Sequence, residues 1–431
     1  MTHLHRQVEV SIRSQRVFPR RDFLRGVSAA ALAAGTLSWR DVMTLEAADL
    51  RRRGRACILL WMQGGPSQFE TFSPKPGHPN GGETKALPTA VSGIEISENF
   101  PQVAGVMRHL ALIRSMTGKE GSHPRATYLL HTGYLPTASV KYPALGSIAA
   151  NELGDARGEL PAFVRIGNVQ NSSGGGLLGA EFDPFVMPAA GKLPANTRLP
   201  TEVDRFERRL DLLTRLETEF SQQAGPEVAD HQKLYRKAAR MIESPQMKAF
   251  DLAAEPEKIR AAYGKSQFAS GCLLARRLVE SGVTFVEVVS DGWDTHFDNF
   301  GTSRRLAAGV DQPFAALIQD LESRGLLDTT LVVWMGEFGR TPRINPRAGR
   351  DHFPRAFNVA LAGGGVRGGQ VIGKTDAGGT EVTDRPVSVP DLFRSLCQGL
   401  AIDPAKENMS TIGRPIKLVD GGKVVEGLFV G

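Results

Sequence analysis

Cysteine is scarce in this sequence. The three thiols among 431 residues, Cys57, Cys272 and Cys397, lie far apart in apolar surroundings, and no CxxC pair occurs. That excludes a thiolate zinc site of the usual spacing and a dithiol redox motif, and the thiols read as buried. Aromatic residues make up only 7% of the chain, and no segment after Arg55 interleaves them with runs of Lys and Arg. Binding to nucleic acid is therefore not expected. No apolar run approaches the roughly 20 residues of a membrane-spanning helix, so no stable transmembrane span is expected. Internal repeats are absent as well, and no low-complexity tract lies outside the first residues.

What remains is ordinary globular material, 41% hydrophobic and 23% charged, enough for a large buried core. The formal net charge of +6 is concentrated at the start of the chain, in Arg13, Arg16, Arg20, Arg21, Arg25 and the cluster Arg51, Arg52, Arg53 and Arg55. There, Phe18-Pro19-Arg20-Arg21-Asp22-Phe23-Leu24-Arg25 precedes a small, weakly apolar stretch over 26–38. Paired arginines before such a stretch resemble a twin-arginine (Tat) signal, a route that carries folded proteins. The resemblance implies the Tat translocase as a partner and a periplasmic or extracellular location. Residues 1–48 then form the signal and leader, and 49–431 the mature domain.

Beyond the leader, continuous apolar runs alternate with helix-period segments. Residues 56–62 form an apolar run stopped by Gly64-Gly65-Pro66, as expected of a strand buried on both faces. Further strands are expected at 110–115, 162–166, 283–289, 330–335 and 357–362. Helices are expected from Asn99 through Met107, and at 124–131, 142–153, 266–280, 304–324 and 389–400, with a charged helical insertion at about 201–263. The Gly- and Pro-rich stretch 172–200 reads as a surface loop with little regular structure. This alternation predicts an α/β fold, a three-layer α/β/α sandwich around a mostly parallel sheet, in which sites lie beyond the carboxyl ends of the strands.

Polar clusters occur at those ends. Asp291-Gly-Trp-Asp294-Thr-His296 follows one strand, Glu337-Phe338-Gly339-Arg340 follows another, and Asp351-His352 precedes a third. Each has an ordinary explanation as a capped turn or a structural ion pair. Together they assemble carboxylate and imidazole donors of the kind that hold a divalent metal such as zinc.

The motifs Leu59-Leu-Trp-Met-Gln-Gly-Gly-Pro-Ser67, Ser122-His-Pro-Arg-Ala-Thr-Tyr-Leu-Leu-His-Thr-Gly133, Asp291-Gly-Trp-Asp-Thr-His296, Gly336-Glu-Phe-Gly-Arg-Thr-Pro342 and Gly349-Arg-Asp-His352 together carry a resemblance. They resemble the alkaline phosphatase and sulfatase superfamily, and more narrowly Tat-exported, sulfatase-like proteins known as a domain of unknown function. The resemblance implies an alkaline-phosphatase-like fold and metal ligands among Asp291, Asp294, His296, Glu337, Asp351 and His352. It also implies that a second metal position is eroded, since Gln63 and Phe338 stand where the superfamily places Asp and His. The sulfatase cysteine nucleophile is missing, leaving Ser122 or Thr127 in that place, with His123 as base or ligand and Arg125 or Arg340 for the anionic group. The expected activity is metal-assisted hydrolysis of a phosphate or sulfate ester. The alternative is an exported, non-catalytic binding or scaffold protein on the same fold.

Overall fold

Strand β1 (Ala56–Met62) is buried along its whole length, and its alternate side chains serve two separate cores. Ala56, Ile58, Leu60 and Met62 pack on one side, Cys57, Leu59 and Trp61 on the other. This two-sided burial is why the run shows no polar alternation. The computed structural model describes residues 54–430 apart from 156–157, 194–196, 198–202, 225 and 411–412. The expected twin-arginine leader lies outside the described residues.

The main sheet adds β2 (Leu110–Thr117), β3 (Phe163–Ile166), β4 (Phe185–Met187), β5 (Phe285–Ser290) and β6 (Thr330–Met335). A short hairpin, β7 (Gly339–Arg340) with β8 (His352–Phe353), stands apart from it, and β9 (Phe357–Ala362), β10 (Gln370–Ile372) and β11 (Val387–Ser388) complete it. The spatial order is β10-β2-β9-β6-β1-β5-β3-β4, with β11 also on β2. Strand β9 runs antiparallel to both its neighbours, whereas the remaining pairings are parallel.

Helices cover both faces. On one lie α1 (Pro101–Gly105), α6 (Glu257–Tyr263), α7 (Gln267–Glu280) and α8 (Asn299–Ser323). On the other lie α2 (His123–Thr132), α3 (Leu145–Leu153) and α9 (Val389–Leu400). Helices α4 (Val203–Ala224) and α5 (Pro226–Glu243) form the insertion. The fold is thus an α/β sandwich with a mostly parallel sheet. No helix among the described residues is long and apolar enough to cross a membrane.

Some boundaries differ from those the sequence suggests. Asn99 does not cap α1; its amide reaches the Glu70 carbonyl, and the carboxylate of Asp311 on α8 accepts the free Gln102 and Val103 amides at 2.9 and 2.8 Å. Helix α8 begins at Asn299, capped by Asp298, earlier than its polar first turns suggest. The stretch expected to be irregular contributes β4, which pairs with β3 at the edge of the sheet.

The two ends of the described chain meet at the pole where β1 begins. Arg55 Nη1 donates to the Gly399 carbonyl at 2.6 Å, and Phe429 bridges to Val366, just beyond the end of antiparallel β9.

Candidate metal centre

At the opposite pole, four chain segments converge. Strand β5 exits into Asp291–His296, β6 into Glu337–Arg340, and β2 through a short loop into the start of α2. The β7–β8 hairpin sets His352 directly across from Arg340. Strand β1 exits into Gly64, whose φ of 113° and lack of a side chain let it lie against the next loop. A Cβ on Gly64 would sit 2.4 Å from the Asp294 amide nitrogen.

Asp294 Oδ1 is the hub. It lies 3.3 Å from His123 Nε2, 3.2 Å from His296 Nε2 and 3.3 Å from His352 Nε2, and the last two nitrogens are 3.0 Å apart. The donor atoms of His123, Asp294 and His352 all fall within 4.8 Å of one another. Each histidine has its other nitrogen on an oxygen acceptor. His123 Nδ1 meets Glu337 Oε1 at 2.6 Å, His296 Nδ1 meets Asp351 Oδ1 at 2.8 Å, and His352 Nδ1 meets the Gly121 carbonyl at 2.7 Å. Those acceptors place the ring proton on Nδ1 and turn the Nε2 lone pairs toward one another.

Three imidazole nitrogens and a carboxylate oxygen gathered in this way need a proton or a metal ion between them. His123 Nε2 is buried and faces Asp294 Oδ1. A tetrahedral ion with ligand bonds of about 2.0–2.1 Å separates its donors by about 3.3 Å, and the 3.2–3.3 Å from Asp294 Oδ1 to each imidazole match that edge. His123, Asp294 and His352 therefore fit a divalent transition metal, with His296 beside Asp294 and His352 as a further donor.

Without an ion the same contacts favour a proton between the donors, which a bound metal would displace. Burial pulls the His123 imidazole down, but hydrogen bonds to Asp294 and Glu337 outweigh it and lift the ring to about 9. Burial would raise the Asp294 carboxyl, yet its bonds to His123, His352 and Arg340 hold it far below the usual carboxylate range.

The remaining candidates occupy other places. Glu337 is buried behind His123 and also accepts the Gly64 amide at 3.0 Å, and Asp351 stands behind His296, so both carboxylates orient imidazoles. Asp291 lies apart, accepting from Gln63 Nε2 at 3.1 Å and the Gly292 amide at 2.7 Å. Gln63 Oε1 in turn accepts the Gln170 amide, so an amide network fills the position where the resemblance wants a second carboxylate ligand. Phe338 is buried, its ring centroid 4.8 Å from that of His123 and 4.6 Å from that of His352, forming a wall beside both.

Arg340 is fully buried. Its guanidinium donates to Asp294 Oδ1 at 2.6 Å and to the carbonyls of Gly64, Gly65, Trp293 and Arg350. It ties the ligand-bearing loops together and has no face toward the mouth. Arg125 is half exposed, with Nε on Glu120 at 2.6 Å. Ser122 is exposed at the N-cap position of α2, but its hydroxyl caps no helical amide. Thr127 is buried within α2. The sequence placed His123 between ligand and base, and it gave no signal for the Gly121 carbonyl, which acts through backbone alone.

A family model described as "Protein of unknown function (DUF1501)" matches residues 54–429. No curated protein matches the chain. Among solved structures the chain is similar to a sulfatase from Pseudoalteromonas sp., at 14% identity and a TM-score of 0.37, over 83% of this chain and 72% of that one. It is also similar to a phosphonate monoester hydrolase of Agrobacterium radiobacter, at 14% identity and a TM-score of 0.32, over 87% and 77%. A lipoteichoic acid synthase from Listeria monocytogenes is similar at 9% identity and a TM-score of 0.36, over 83% and 78%.

Proposed function

We propose that this chain, which belongs to the family described as "Protein of unknown function (DUF1501)", is an exported hydrolase of phosphate or sulfate esters that works with a single divalent metal, zinc being the ion the donor set suits best. The observation that supports the reading is the convergence of three imidazole Nε2 atoms on Asp294 Oδ1, with each Nδ1 held from behind. Side chains of His123, His296 and His352 remain 26–29% exposed, so the centre opens to solvent. A metal bound there would polarise an ester oxygen and activate water. Around it, the chain's own groups divide the work. Glu337 and Asp351 keep the proton on Nδ1 of their histidines, and Arg340 holds Asp294 in place. Ser122, with its hydroxyl uncommitted beside His123, is the candidate nucleophile, and exposed Arg125 one turn on is the candidate anion-binding group.

The test is metal content followed by turnover. Full-length protein purified without chelators should carry about one metal per chain and hydrolyse 4-nitrophenyl phosphate or sulfate. His352→Ala should fold, lose the metal and lose turnover. Protein that binds no zinc under these conditions sinks the reading. A second reading, a non-catalytic metal-binding or scaffold protein, draws on Gln63 and Phe338, which supply no donor for a second ion. Stoichiometric metal without turnover on either ester favours that alternative.

Export belongs to the same proposal, through Arg20 and Arg21 and the Tat translocase. Replacing both by Lys should leave folded protein in the cytoplasm, as fractionation would reveal; unchanged export of that variant would refute the signal.

A further inference from the structure

Phe297 directly follows His296 and is 58% exposed, an unusual position for a large aromatic residue. The Arg347 guanidinium carbon lies 3.9 Å from the ring centroid. Their mount is rigid. Asn345 Oδ1 accepts the amides of Arg347 and Gly349, both at 2.9 Å, while its Nδ2 donates to the His296 carbonyl at 3.1 Å. The Asp298 amide donates to the Arg347 carbonyl and the Asn299 amide to the Ala348 carbonyl. Gly349 is pressed so close that a Cβ there would fall 1.9 Å from the His296 carbonyl oxygen. Among the described residues the Arg347 guanidinium makes no hydrogen bond or ion pair. The carboxylate that feels its charge is Asp351, which is already hydrogen-bonded to His296.

A guanidinium stacked on an aromatic face keeps its planar N–H edges free and loses little further freedom when an oxyanion arrives. We propose that Arg347 and Phe297 form a subsite at the mouth for a second anionic group, so that the site prefers esters whose alcohol portion itself carries a carboxylate, sulfate or phosphate. This inference rests on the hydrolase reading and assigns its substrate class.

The test reads binding apart from turnover. Phenylphosphonate and 4-carboxyphenylphosphonate contain a P–C bond in place of the ester, so neither is hydrolysed. Calorimetry on zinc-loaded, full-length protein should show the carboxylated compound bound about tenfold more tightly, the worth of one charge-assisted hydrogen bond. In Arg347→Met that preference should shrink to within about twofold of unity. Phe297→Leu, which keeps the charge and removes its platform, should lower it part of the way. No preference in the wild type, no binding of either compound, or a preference that survives in Arg347→Met overturns the subsite. Failure of the hydrolase reading shows separately, as absent turnover of the aryl esters.

Discussion

The tightest contact behind the histidines is the 2.6 Å pair of Glu337 and His123. Because Glu337 touches the ring and not the mouth, its removal should act on metal affinity. Glu337→Gln keeps an acceptor for the Gly64 amide but withdraws the charge that fixes the His123 tautomer. Zinc affinity should fall about 10–100-fold, the usual effect of an outer partner, with thermal stability of the metal-free protein little changed. Competition with a chelator measures it; an unchanged dissociation constant would show Glu337 to be only a packing group. At this scale the sequence was informative about which residues meet. It named Asp291, Asp294, His296, Glu337, Asp351 and His352, and the structure brings all but Asp291 to one place. It was silent on which shell each joins, because an imidazole has two nitrogens and a strand end does not say which one faces inward. Burial of Arg340 was equally hidden: a guanidinium with five donors reads as an anion binder until backbone carbonyls are seen to use them.

At the scale of elements, the site depends on loops that approach one another more closely than side chains allow. Gly64→Ala must displace the Asp294 backbone and also strains a φ of 113°. It should cost at least ~2 kcal/mol of stability and lower zinc binding together. Asp311→Ala, which removes the buried cap of α1 supplied from α8, should cost about 1 kcal/mol with zinc binding intact. Denaturant unfolding and metal analysis of the two variants compare these outcomes; equal metal content in both would separate the glycine from the centre. Most elements were legible, because buried strands and helix-period segments leave plain apolar patterns. The reversed direction of β9 was not, since an all-apolar strand looks alike read either way. Strand β4 escaped because three residues amid glycine and proline carry too little pattern.

For the molecule as a whole, the sheet and its helical cover are joined by charge as well as by packing. Glu287 on β5 lies fully buried between His131 of α2, at 2.8 Å, and Arg165 of β3, at 2.6 Å. Burial alone would raise this carboxyl, but Arg165 and His131 overcome it and depress it to about 2 from 4.5. A depressed carboxylate stabilises the fold above its unfolded value, and that contribution is lost as pH falls from about 4.5 to 2. It amounts to on the order of 3 kcal/mol. Urea unfolding of metal-free protein between pH 5 and pH 2.5 should show the decline, and Glu287→Gln should flatten it; an equally steep loss in the variant would assign it to other carboxyls.

Both ends of the described chain, at Arg55 and Phe429, sit at the pole away from the histidines. An affinity handle or carrier fused just beyond Phe429 would therefore attach to the back of the molecule. Protein immobilised on a sensor surface by such a handle would present its open mouth to the flowing solution, ready for metals and analogues to be tried in turn.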